Sequence, residues 1–330
     1  MHDFTNQKRN IVMSRQNPTV IIALGGNAIS PKNETGDISE QFAHTKESLD
    51  AMMYFINKRY NICITHGNGP QVGAELLKNE ITKDEIPSLP LGVLVANTQG
   101  AIGYMIQQTL QNALLKNDID REVVTFISQV IVDKNDPTIQ NPTKFIGKIY
   151  NEKKAKELSD EYGWNIKEQE NGIWRRVVAS PKPLYIFNGN SVKHLVDFGT
   201  IVVAGGGGGI PAFEDKNHFL HGLDAVIDKD MSAALLGRVI KAEELFIITD
   251  VDEVCLNYGA SNQVKISNTN VEELHTWISD NQFGEGTMLP KIHAAIYFLK
   301  HHGQKVIITS LNKIEEAIKG NAGTIIKRGN

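Results

Sequence analysis

The chain has 330 residues, 41% of them apolar, enough to bury a large core in one domain or two smaller ones. A formal net charge of -4 argues against a broad nucleic-acid footprint, which needs a concentrated basic face, and favours small solutes as partners. No apolar run reaches the roughly 18 residues of a membrane span, and Cys63 and Cys255, each in an apolar strand-like run, read as buried small hydrophobes in a reducing, cytosolic setting.

Residues 1–17 are polar and lack periodicity, so a disordered arm is expected there, with Met13 an alternative start. From Thr19 onward, apolar runs of strand length alternate with helix-period segments, the pattern of an α/β domain spanning 18–330. Buried strands are expected at Thr19–Leu24, Asn61–Thr65, Val123–Ile127, Thr200–Ala204, Leu245–Thr249 and Lys305–Thr309. Ligands of an open α/β sheet gather beyond the carboxyl ends of its strands. The residues just after these runs are therefore site candidates: Gly25, Gly26 and Asn27; His66, Gly67, Asn68 and Gly69; Gly205–Gly209; and Asp250. Between about 133 and 180 the alternation breaks down into DPT, NPT, a lysine-rich helix-like stretch over Asn151–Tyr162 and a strand-like IWRRVVAS. That segment is expected to protrude as a small subdomain.

Three glycine turns follow three strands: GGN at Gly25, THGNGPQVG at Thr65–Gly73 and GGGGGIP at Gly205–Pro211. With no Cβ in the way, backbone N–H groups in such turns can face an anion, and three on one sheet edge would line a single nest. His66 has no Cys, His or carboxylate at ligand spacing, so a structural or substrate-positioning role is expected rather than metal binding. In AVIDKD, Asp228 or Asp230 could be simply an N-cap and Lys229 a solvated first-turn residue. Lys291 also opens a helix, however, and two lysines at helix starts have the wrong sign for the macrodipole unless an anion sits between them. Polyphosphate fits. No GxxxxGK[ST] and no HRD with DFG occurs, which excludes the P-loop and protein-kinase routes, and Pro211 breaks the formal GxGxxG at Gly205.

The motifs ALGGNA, THGNGPQVG, QGAIGY, NPTK, RRVVASPKP, GGGGIP, AVIDKD, ITDV and TMLPK, in that order, make the chain resemble the carbamate kinases of the amino-acid kinase fold family. The resemblance runs from about Val20 to the C-terminus. It implies a three-layer α-β-α sandwich around a mainly parallel twisted sheet, a homodimer, and the reversible reaction of ATP and carbamate to ADP and carbamoyl phosphate with Mg²⁺. It also implies use in making ATP from arginine or related carbamoyl compounds. Gly25, Gly26, Asn27, Gly67, Asn68 and Gly69 would hold carbamate and the transferred group. Lys144 and Lys229 would flank the phosphoryl group, Asp230 would orient the lysines, and Lys229, Asp250, Met288 and Lys291 would face the nucleotide. Kinases of other small acids in this fold usually carry a lysine in the first-strand turn, where this chain has Ala23. The resemblance assigns that charge to Lys144, reaching in from the protruding subdomain; a lysine on such a separate element is expected to be brought in by closure of the segment as a lid when substrate binds. Phe145 replaces the family's proline after that lysine, Gly92 stands in the PLGVL segment, and Leu289 precedes Pro290. These departures leave open a catalytically weak ligand-binding relative or a kinase of another small acid, which turnover of carbamoyl phosphate with MgADP would separate from a carbamate kinase.

Overall fold

The computed structural model describes residues 17–26, 29 and 37–329. The expected disordered arm, except for Asn17, and the site candidate Asn27 lie outside the described residues.

All six expected strands form, with ends moved by no more than two residues: Thr19–Leu24, Asn61–His66, Val123–Thr125, Ile201–Val203, Glu244–Thr249 and Lys305–Ser310. With Asn268–Asn270 and Thr324–Lys327 they make an eight-stranded sheet. Its order is Asn268–Asn270, Thr324–Lys327, Lys305–Ser310, Glu244–Thr249, Thr19–Leu24, Asn61–His66, Ile201–Val203, Val123–Thr125. Every pairing is parallel except Lys305–Ser310 with Thr324–Lys327. A parallel sheet is covered on both faces, which is why these strands read as continuous Val/Ile/Leu runs. Alternate residues of Thr19–Leu24 go to opposite sides: Val20, Ile22 and Leu24 pack in one core layer, and Ile21 and Ala23 in the other.

Helix Leu91–Lys116 covers the first face with Ile102, Ile106, Leu110 and Leu114, four residues apart on one stripe. Helices Lys229–Ile240 and Leu289–His301 cover the second face, contributing Ala233, Leu236, Ile292, Ala295 and Leu299. The result is the expected three-layer arrangement. Among the described residues no helix is long and apolar enough to cross a membrane.

Two smaller sheets were less legible. Leu220–Gly222, Ile210–Glu214, Gln129–Val132 and Pro183–Ile186 form a second sheet that the one-dimensional pattern did not announce. Between its strands Gln129–Val132 and Pro183–Ile186 the chain leaves the main body and builds a three-stranded antiparallel sheet, Lys144–Tyr150, Ile173–Val178 and Ile166–Glu170. Helix Glu152–Tyr162 accompanies it, capped by Asn151, whose side chain accepts from the Lys154 N–H, and stopped by Gly163 at φ 68°.

This excursion rests firmly on helix Gly69–Thr82. A Cβ on Gly73 would come within 2.1 Å of Gly147 Cα, so the approach needs a glycine at 73, while Gly147 is suited by its positive φ of 70°. Arg176 pairs with Glu80 of the same helix at 3.5 Å and lies 4.9 Å over the Trp164 ring, while Arg175 donates to the Gly147 carbonyl at 2.9 Å. The Arg175–Arg176 pair is thus a subdomain contact rather than a solvated pair. Cys63 is buried as expected, but Cys255 is only half-buried, in the short strand Val254–Leu256 at the periphery.

Candidate active site

The central strand Thr19–Leu24 has the N-terminal half of the chain on one side, through Asn61–His66, and the C-terminal half on the other, through Glu244–Thr249. A crevice opens where the crossovers diverge. It holds a cavity of about 270 Å³ lined by Gly25, Gly26, Gly67, Asn68, Gly69, Lys144, Phe145, Asp228, Lys229, Asp230, Asp250 and Lys291, with Gly207, Thr287 and Pro290 among the rest. Residues distant in sequence meet here because strands Thr19–Leu24, Asn61–His66 and Glu244–Thr249 end at this sheet edge and helices Lys229–Ile240 and Leu289–His301 start beside it.

Lys229 opens helix Lys229–Ile240, whose N-cap is Asp228: its Oδ1 accepts from the Asp230 N–H at 3.0 Å and the Met231 N–H at 3.2 Å. Capping and charge are combined in this one side chain, because Asp228 Oδ2 also accepts from Lys144 Nζ at 2.7 Å. Asp230, 2% exposed, holds the other two lysines: Oδ1 pairs with Lys229 Nζ, and Oδ2 with Lys291 Nζ at 3.2 Å. Lys291 further donates to the Thr287 carbonyl at 3.2 Å.

Burial opposes ionisation of the Asp230 carboxyl, but the Lys229 and Lys291 ammonium groups outweigh it and hold Asp230 well below the usual carboxylate range. Burial also pulls Lys229 below the ordinary lysine value despite Asp230 beside it. For Lys291 the balance tips the other way: the carboxylates of Asp230, Asp228 and Asp250 overcome its burial and raise it. Three lysines and three aspartates, Asp228, Asp230 and Asp250, line the cavity, so its formal charges balance; an oxyanion there would be met by converging ammonium groups and backbone N–H donors rather than by a net positive charge.

Of the three glycine turns, the first two line the cavity side by side. A Cβ on Gly67 would sit 2.8 Å from the Gly26 amide nitrogen and 3.5 Å from Lys229 Cδ, so this position tolerates no side chain without parting the two turns. The third turn departs from expectation. Gly205–Gly209 is wholly buried, and only Gly207 reaches the cavity. Its backbone is supporting masonry: Thr65 Oγ1 donates to the Gly205 carbonyl at 2.8 Å, Ser128 Oγ accepts from the Gly205 N–H at 3.0 Å, and Ser232 Oγ donates to the Gly208 carbonyl at 2.7 Å. Gln99 in turn brackets Ser128, accepting from its N–H at 2.7 Å, and Thr98 takes the Asn68 side-chain amide at 2.8 Å. Ser128, Gln99, Thr98 and Ser232 escaped sequence reasoning because each acts on a group contributed by a distant segment: backbone for Ser128, Gln99 and Ser232, the Asn68 side-chain amide for Thr98.

Met288 does not line the cavity. It stands just before helix Leu289–His301 and packs against the core, leaving Gly286 and Thr287 at the rim. Lys144 lines the cavity, held by Asp228, on a strand packed against helix Gly69–Thr82.

The family model describing the amino acid kinase family matches residues 18–310. The chain belongs to that family. Within it the chain falls among the carbamate kinases: it is 44% identical to the carbamate kinase of Pyrococcus horikoshii over 307 residues, covering 92% of this chain and 98% of that protein. The carbamate kinase of Staphylococcus epidermidis is 40% identical over 312 residues, covering 94% and 99% of the two chains. Among solved structures, carbamate kinase from Giardia lamblia bound to citric acid superposes with a TM-score of 0.90 at 37% identity, covering 95% of this chain and 99% of that one. The same Giardia lamblia protein bound to AMP-PNP gives a TM-score of 0.87, also at 37% identity with the same coverages. Such coverage at such identity places every element of the crevice in the family's amino acid kinase fold.

Proposed function

We propose that the protein is a carbamate kinase, transferring a phosphoryl group reversibly between ATP and carbamate to give ADP and carbamoyl phosphate. The observation that carries this is Lys144. Ala23 leaves the first strand with a buried methyl where kinases of other small acids usually have a cation, and Lys144 supplies one to the cavity that opens just beyond that strand. Phosphoryl transfer asks the protein for positioning and charge, since the transition state is loose and its charge is spread over the equatorial oxygens. Backbone amides of Gly25–Gly26 and Gly67–Gly69 receive carbamate and the group in transfer; Lys144 and Lys229 flank that group; Lys291 takes nucleotide phosphates. Asp230 fixes Lys229 and Lys291 and keeps their charges compatible when no phosphate is between them.

Mg²⁺ enters with the nucleotide in this reading. Among the described residues no cluster of three or more His, Cys, Asp or Glu side chains could cage a metal, and Asp228 and Asp230 are engaged by lysines. That donor set fits an ion bound chiefly through phosphate oxygens, as Mg²⁺ commonly is. When bound it neutralises charge on the bridging phosphates. A homodimer belongs to the same proposal: Ile127, Leu184, Phe187 and Phe219, on or beside strands of the second sheet, are exposed apolar side chains that a second copy would cover. Service in the breakdown of arginine or related carbamoyl compounds is the corresponding metabolic proposal.

The test is coupled ATP formation from carbamoyl phosphate and MgADP by a folded preparation. ATP no faster than uncatalysed carbamoyl phosphate breakdown would overturn the assignment. Turnover of ATP only with a different acid would replace the acceptor but keep the site.

A further inference from the structure

His66 ends the strand Asn61–His66 and lies beneath the cavity floor, 1% exposed. Its Nδ1 is 3.0 Å from the carbonyl oxygen of Gly67. A carbonyl can only accept, so this bond requires the proton on Nδ1. The other edge of the ring faces the third glycine turn: a Cβ on Gly206 would lie 2.3 Å from Nε2, so the ring is wedged against that backbone. The preceding N–H is also committed, since Gly67 donates to the Leu24 carbonyl at 2.9 Å. Both backbone groups of Gly67 are therefore pinned from below.

The consequence follows from peptide planarity. In a trans peptide the C=O and the next N–H point in opposite directions, so a Gly67 carbonyl turned inward to His66 turns the Asn68 N–H outward. Among the described residues no acceptor takes that N–H, and Asn68 lines the cavity. We propose that His66 is a positioning residue for phosphoryl transfer: its neutral Nδ1–H locks the Gly67–Asn68 peptide so that the Asn68 amide is presented to the oxyanion in the cavity. The role rests on the carbamate kinase reading for the identity of that anion. Burial supports it by holding the imidazole at about 4, well below its usual value, so that the ring stays neutral where the enzyme would work.

Two measurements on the full chain decide the matter. Histidine-selective ¹⁵N NMR of the wild type between about pH 6 and 8 should show His66 as the neutral Nδ1–H tautomer, the less common one in water; an Nε2–H tautomer overturns the proposal. His66→Asn places an amide donor near the Nδ1 position, whereas His66→Gln places it near Nε2. The first should keep kcat/KM for carbamoyl phosphate within about threefold of wild type and the second should lose about 10–100-fold, as for other groups that orient a reacting ligand from behind. KM for MgADP should stay unchanged in both. Equal losses in the two variants, or none in His66→Gln, overturn the proposal. A wild type inert toward carbamoyl phosphate would sink the functional assignment instead, and the tautomer would still test the orientation of the peptide.

Discussion

Asp230→Asn should cost both stability and rate, and the two losses should be separable. The carboxylate is 2% exposed and bridges Lys229 and Lys291. A pair of opposite charges about 4 Å apart attracts by about 4 kcal/mol at an effective dielectric of 20. Removing one partner of a buried pair leaves its ammonium unneutralised, which in measured cases destabilises by about 3–5 kcal/mol. Asparagine preserves the shape and removes the charge, so urea unfolding followed by tryptophan fluorescence should show a loss in that range. The same change lets the lysines repel each other out of register, and kcat for ATP formation should fall by about 10²–10³. Adding Lys229→Met to Asp230→Asn withdraws one of the two stranded charges. The double variant should regain most of the stability and none of the activity. If it is no more stable than Asp230→Asn alone, or if Asp230→Asn keeps kcat within tenfold, then Asp230 is not the group that reconciles these lysines.

Lys229→Met by itself leaves Asp230 paired with Lys291, so kcat should drop by about 10²–10³ with only a small shift in thermal midpoint; a variant that melts early but turns over normally would assign Lys229 to folding. Lys144→Ala breaks a part-exposed ion pair with Asp228, worth at most about 1 kcal/mol, so stability should barely change while most activity goes and ADP binding, read by calorimetry, survives. Hydrogen exchange over 144–178 should be slow even without ligands, given the Gly73–Gly147 contact; protection appearing only with nucleotide and carbamoyl phosphate would restore the mobile-lid view. His66 predicts a pH effect on stability. The unfolded chain takes up a proton near 6.5 while folded His66 resists until about 4, so stability should fall as pH drops through that window, by about 3 kcal/mol in all. His66→Asn should lack this component, and an unchanged pH slope in urea titrations would show that His66 does not contribute it.

The main sheet was legible in one dimension because its determinants are local. A parallel strand buried on both faces needs an unbroken apolar run, and Thr19–Leu24, Asn61–His66 and Glu244–Thr249 show one, each stopped by a glycine or polar turn. The lysines 229 and 291 were legible for a similar reason, since a cation at a helix start contradicts the helix's own field and calls for an anion. Pairing was not. That Asp228 would cap a helix with one oxygen and hold Lys144 with the other depends on a strand 84 residues away in the chain. Glycine runs show only that backbone must come close to something, so the sequence could not tell Gly67, which opens onto the cavity, from Gly206, which makes room for His66. Met288 makes the same point: within TMLPK it shares the motif's position along the chain but, just before the helix start, packs against the core rather than lining the cavity. Order along the chain sets which chemistry is available and at which strand ends it stands. Which oxygen meets which ammonium, and which amide is left pointing at the substrate, is decided only when segments far apart in sequence are packed together and each buried polar group must find its partner.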